Sequence, residues 1–237
     1  MHNRTGNRLL SISAICGALL LTIGTWLHPM HADPNVPLAA FTEYAADRHW
    51  IASHLMQLAG VMFIVAALVL LARRLKDGPA GDWAALGNAG AIASLASAVV
   101  LQAVDGIALK VMVDSWTGAE GAAKDSLFHA ALAVRQVEVG LASMSSLVFG
   151  VTVVVYGIAF LLDGRAAKWI GWIAILGGTA MSLAGIAIAY TGFSELAMLL
   201  NMPASLLLIA WLAAVGLTSG SGRLFAKMPG RSGSAAQ

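Results

Sequence analysis

Histidine is the side chain of this protein best suited to chemistry near neutral pH, and five of its six histidines, His28, His31, His49, His54 and His129, lie between the first and fourth apolar runs. Imidazole is the commonest transition-metal ligand, so this grouping points toward zinc, copper or haem iron. The run His28-Pro29-Met30-His31 adds a thioether, a soft donor that suits Cu(I). No spacing is diagnostic: there is no HExxH, Cys16 stands alone, and His49 and His54, five apart, point about 140° away from each other on a helix. His54 and His129 are the pair that would hold a transition metal or a b-type haem, provided both rings enter one cavity. A second set is polar rather than metal-binding: Gln57, Gln102, Asp105, Arg135 and Glu138 are candidates to line a ligand pocket. They also admit a plainer reading, because Arg135 and Glu138 have the i, i+3 spacing of an ion pair on one helix face.

The elements that must position these residues follow from composition. Of 237 residues, 11% are charged and 59% hydrophobic, and mean hydropathy is +0.79. A soluble domain carries about 25% charge, and this size offers too little interior to hide so much apolar side chain. A soluble enzyme, a disordered chain and a disulfide scaffold are excluded, and nothing suggests nucleic-acid binding. The apolar residues come in continuous runs, which specify transmembrane helices rather than barrel strands. Six runs are long enough: about 9–27, 50–72, 83–104, 140–162, 169–190 and 196–217. The expectation is an all-α polytopic membrane protein, six helices in one bundle over residues 1–229, with a disordered tail at 230–237. The first run is read as an uncleaved helix, since Met30 before Ala32 is a poor signal-cleavage site.

Charge sets the orientation. Arg4, Arg8, Arg73, Arg74, Lys76, Arg165, Lys168, Arg223, Lys227 and Arg231 fall on one side with three acids, a net +7. The other side holds four basic and nine acidic residues, a net −5. The positive-inside tendency puts both termini in the cytoplasm of a bacterial inner membrane. Counting 1.5 Å per residue, Glu138 lies about 36 Å above Leu162 and His54 about 27 Å above Ala72, so every candidate site residue collects at the outer rim. The midplane holds only small and hydroxylated residues such as Ser94, Ser146 and Ser182. That counts against a coupled transporter, whose site normally sits at mid-bilayer. Small residues every fourth position, Gly90–Ser94–Ala98–Gln102–Gly106 and Glu138–Ala142–Ser146–Gly150, predict that the third and fourth runs pack along these rows.

In the second half, Tyr156-Gly157, Gly164-Arg165, Trp169-Ile170-Gly171-Trp172 and Gly177-Gly178 form a helix, a short basic turn and a Trp/Gly-rich helix. Over Val137–Leu217 this resembles multi-pass bacterial membrane proteins grouped as a domain of unknown function. The resemblance implies fold and location, and no catalytic residue.

The leading expectation is therefore a non-enzymatic inner-membrane protein whose outward polar pocket binds a small ligand or a protein partner. The first alternative is a haem b or metal-binding redox protein using outer histidines. The second is a small-solute transporter.

Overall fold

The computed structural model describes residues 2–221 and 224, without the side chains of residues 2–4. The expected tail at 230–237, and with it Arg223, Lys227 and Arg231, lies outside the described residues. Those described are helical throughout their regular structure. The helices are α1 (His2–Leu27), α2 (Pro37–Ala46), α3 (Trp50–Leu75), α4 (Gly81–Gln102), α5 (Lys110–Thr117), α6 (Ala122–Asp163), α7 (Lys168–Thr191) and α8 (Glu195–Gly220). A 3₁₀ turn at Gly78–Ala80 opens α4, and a π-helical segment at Ala103–Leu109 joins α4 to α5 without a break. Six helices are long and apolar enough to cross a membrane, with windows of mean hydropathy from 1.8 to 2.6.

Two of these helices are much longer than a bilayer requires. At 1.5 Å per residue, the 42 residues of α6 rise about 63 Å, and the 40 residues from Gly78 to Thr117 about 60 Å. A hydrocarbon core is about 30 Å thick, so both must project beyond it at the same end. The expected outer loop at Asp114–Ser126 is thus a correction: helix occupies all of it except the four residues Gly118–Gly121. The connection from His28 to His49 is likewise not all loop, because Pro37 opens α2 in the first-turn position where a missing N–H costs nothing. The projecting parts of α5 and α6, with α2, form a cap. It has its own core of Ala40, Phe41, Tyr44, Trp50, Leu109, Val113, Trp116 and Ala131. The Lys110 ammonium fastens the cap, donating to the carbonyls of Tyr44 and Ala45, each at 3.0 Å, and to Asp114 at 2.8 Å. A cation against the last carbonyls of α2 also complements its dipole.

Glycine decides how the spans meet. Lipid tails are as apolar as leucine, so close backbone approach must replace the hydrophobic drive between helices. On α6 and α7 the contacts recur every seven residues: Ser143 opposite Gly185, Gly150 opposite Gly178, Gly157 opposite Gly171. A Cβ on Gly150 would lie 2.6 Å from the Gly178 carbonyl oxygen, and one on Gly178 2.6 Å from that of Gly150. The Ser143 hydroxyl donates to the Gly185 carbonyl at 2.8 Å. This corrects the expected row contact, because Gly150 faces α7 rather than α4. Helix α4 meets α6 one step further along, through Gly87 against Tyr156 and Gly90 against Thr152. Tyr156 also donates its hydroxyl to the Leu68 carbonyl at 2.8 Å, tying α6 to α3.

The α1–α3 contact matters most for the site. A Cβ on Gly17 would sit 3.0 Å from the Gly60 oxygen, and one on Gly24 2.9 Å from the Ser53 oxygen. One turn beyond Gly24 the chain leaves α1 at His28, which is thereby delivered to the start of α3. At the opposite end Arg165 donates to the Arg74 carbonyl at 2.9 Å, so the α3–α4 and α6–α7 turns lie together.

Replacing Gly178 by leucine should lower stability by at least about 2 kcal/mol, because the overpacked side chain meets backbone that cannot yield. Thermal unfolding in detergent measures this. Leu206→Ala, at a position 68% exposed on the apolar surface, should leave the midpoint nearly unchanged.

Candidate metal centre

His28, His54 and Asp105 each offer a ligand atom, and the three atoms lie within 4.8 Å of one another. They come from three elements: the residue after α1, the first turns of α3, and the π-helical segment. His54 is 2% exposed. Its Nδ1 lies 2.7 Å from the Trp50 carbonyl oxygen. A carbonyl only accepts, so Nδ1 carries a proton and Nε2 is the ring atom turned toward Asp105. His28 repeats the arrangement, with Nδ1 2.8 Å from the Pro29 carbonyl oxygen. Burial lowers the pKa of His28 from the usual 6.5, and the nearby His54 adds to this, so its ring is neutral at pH 7. Both rings are therefore set in the ligating tautomer by backbone acceptors, the arrangement usual around metal-bound histidine.

Nε2 of His54 lies 3.1 Å from Oδ2 of Asp105, yet it has no hydrogen-bond partner, because the carboxylate sits out of line for an N–H bond. Oδ1 of Asp105 is also buried without a partner. Buried polar atoms left without hydrogen bonds are costly, and a cation between Nε2 and the carboxylate would satisfy both. The π winding is what aims Asp105 here. Within it the Asp105 carbonyl accepts the Trp50 indole N–H at 3.1 Å. It also turns Gly106 onto His54, where a Cβ would lie 2.6 Å from the His54 Cβ. π segments of this kind recur at functional sites.

Aromatic rings close the site from the cap side. Trp50 stacks at 4.6 Å on His54 and 4.8 Å on His28, and Tyr44 lies 4.4 Å from Trp50 between ring centroids. Burial pushes the Tyr44 phenol up to about 12, so it stays protonated and is no phenolate ligand at neutral pH.

The sequence-derived candidates divide. Asp105 and His54 belong to the centre. Gln57 and Gln102 meet one helical turn away, with Gln102 donating to Gln57 at 3.2 Å. Arg135 and Glu138 form a buried ion pair, and Glu138 feels the charge of Asp105. Arg135 is held further by the rings of Phe193 and Tyr44, 5.0 and 5.7 Å from its guanidinium carbon. The structure does not bring His129 to His54. His129 is exposed and lies nine residues, about 13 Å of helix, beyond Glu138 toward the tip of α6. Its ring neighbour is Phe128. His28, noted in the sequence among the outer histidines and in His28-Pro29-Met30-His31, stands beside His54 instead. That run splits: His28 turns inward, whereas His31 pairs with Glu43 at 3.1 Å and Met30 is 57% exposed. The thioether is thus not among the converging ligand atoms.

Space excludes a haem between the two site histidines. Opposed ligation needs two nitrogens about 4 Å apart across iron, with ring centres further still. The His28 and His54 centroids are 4.9 Å apart and tilted by 58°.

Gly106→Ala should displace His54 or unwind the π turn, and so weaken metal binding at least about tenfold while the bundle still folds. Calorimetric titration with Zn²⁺ measures the first effect and circular dichroism the second. Comparison of the chain with protein-family models, with curated proteins and with solved structures finds no match.

Proposed function

We propose that this protein binds a divalent transition metal ion in the membrane, through His28, His54 and Asp105. The observation that carries the reading is the convergence of two imidazoles, each with Nδ1 fixed on a backbone carbonyl, on one carboxylate within 4.8 Å. The ligand set is N₂O without sulfur, which favours zinc or iron(II) over Cu(I). Three protein ligands leave a coordination position open, as in zinc sites that bind water or an exogenous group. Asp105 supplies a negative charge beside the two imidazoles, as a dication requires, and the Arg135–Glu138 ion pair lies to one side.

The outward polar pocket read from the sequence thereby acquires a specific ligand, a metal ion rather than an organic molecule. Placement follows the charge asymmetry. The cap faces the outer side of a bacterial inner membrane and both termini lie in the cytoplasm. Turns rich in Arg73, Arg74, Lys76, Arg165 and Lys168 support that orientation under the positive-inside tendency. Metal would then be captured from the outer compartment.

Purified protein stripped with a chelator should take up one equivalent of Zn²⁺. His54→Ala and Asp105→Asn should each lower the affinity at least about 100-fold, whereas His129→Ala should change it less than about twofold. Unchanged stoichiometry and affinity in both ligand variants would overturn the assignment. Affinity should also fall with acid. A protonated ring cannot ligate, so acid competes with the metal, by up to about tenfold per pH unit for each ring that must lose a proton. Because burial lowers the His28 pKa, its share of this loss begins below pH 6.5 rather than at it.

A further inference from the structure

One of the three ligands stands on a segment whose winding is itself unusual. π-Helix accounts for well under 1% of residues and persists only where its surroundings impose it. Three contacts impose it over Ala103–Leu109. The Trp50 indole holds the Asp105 carbonyl at 3.1 Å, Gly106 seats against His54, and the Asp105 carboxylate reaches His54 Nε2 at 3.1 Å. The first two are always available. The third sets a carboxylate oxygen beside Nε2 with no hydrogen bond between them, and a cation bound between the two strengthens it. Below this segment the helix belongs to the bundle. Above it lies α5, the helix that carries Lys110.

Resting on the metal-binding reading, we infer that occupancy of the site regulates the cap: a bound metal ion holds Ala103–Leu109 in the π winding, and this fixes α5 and, through Lys110, α2. With the ion removed, the buried and unpartnered Oδ1 of Asp105 favours rewinding toward α-helix. Losing one residue of π register turns everything beyond it by about 100°. Asp105 leaves His54, and α5 rotates. Lys110 cannot follow that rotation without dragging on the Tyr44 and Ala45 carbonyls, so α2 moves or is released. The loop before α2 rides on the same linkage, because His31 and Ala32 donate backbone N–H groups to Glu43 of α2 at 3.0 and 2.9 Å. A binding event at the membrane surface is in this way displayed on the far face of the cap, as a metal sensor requires. The coupling is between an ion and one element with two windings, which both the metal and the cap contacts bias.

Hydrogen exchange on the full-length chain in nanodiscs, with Zn²⁺ and after chelation, tests this while metal content is measured on the same samples. The expected result is about tenfold slower exchange with Zn²⁺ across Ala103–Thr117 and Pro37–Ala46, and no change across Lys168–Thr191. In Lys110→Met, Zn²⁺ should still bind and still protect Ala103–Leu109, but protection of Pro37–Ala46 should no longer depend on it. One equivalent of bound Zn²⁺ with unchanged exchange in the wild-type cap would overturn the regulatory inference and leave the metal site standing. No bound Zn²⁺ would overturn both.

Discussion

The structure turns on a proton that is held elsewhere. Nδ1 of His54 gives its hydrogen to the Trp50 carbonyl at 2.7 Å, and Nε2 faces Asp105 at 3.1 Å inside the protein with no hydrogen bond between them. His28 is fixed the same way by Pro29, its own neighbour in sequence. Two imidazoles that each hold their proton on the backbone side cannot satisfy a carboxylate between them. A dication can satisfy all three.

Everything around the site serves to keep this arrangement in place. The Gly17, Gly24 and Gly60 contacts bring α1 against α3, which sets His28 beside His54. The π segment aims Asp105, and Gly106 gives His54 room. The aromatic core of the cap, from Trp50 through Tyr44 and Phe41 to Trp116 and Phe128, excludes water from the cap side of the histidines. Arg135 and Glu138 add a buried pair beneath the cap. Removing either partner would strand a charge at a cost of about 3–5 kcal/mol, so their role in the fold is secure whatever the site binds. The polar rim is therefore layered, with a ligating centre, an amide pair one turn below it and an ion pair to one side.

The architecture was legible in the sequence because membrane physics writes it in runs of apolar residues. The six helices and their alternation follow from length and hydropathy alone. The helix ends were less legible: Asp114–Ser126 is polar enough to read as loop, yet it holds the end of α5 and the first turn of α6, which pack into a cap. The small-residue rows were found, but with the wrong partner for Gly150, since four-residue spacing identifies a face and not what lies against it. At the site, depth along the helices groups His54 and Asp105 at one level, Asp105 as a polar pocket residue and His54 as a metal candidate, and i, i+3 spacing pairs Arg135 with Glu138. His28 was not paired with them, because it sits in an irregular segment where no periodicity says which way a side chain turns. A π winding has no sequence signature, so the direction of Asp105 could not be foreseen. His129 was chosen for its height on a helix that proved to run well past that height.

Everything proposed for the site depends on the composition of its coordination shell. X-ray absorption at the zinc edge of protein loaded with one equivalent of Zn²⁺ reads it directly. Two imidazole nitrogens and at least one carboxylate oxygen at about 2.0–2.2 Å, with outer-shell scattering from the two rings, are predicted. A sulfur scatterer at about 2.3 Å, or a shell of oxygens without imidazole, would contradict the account.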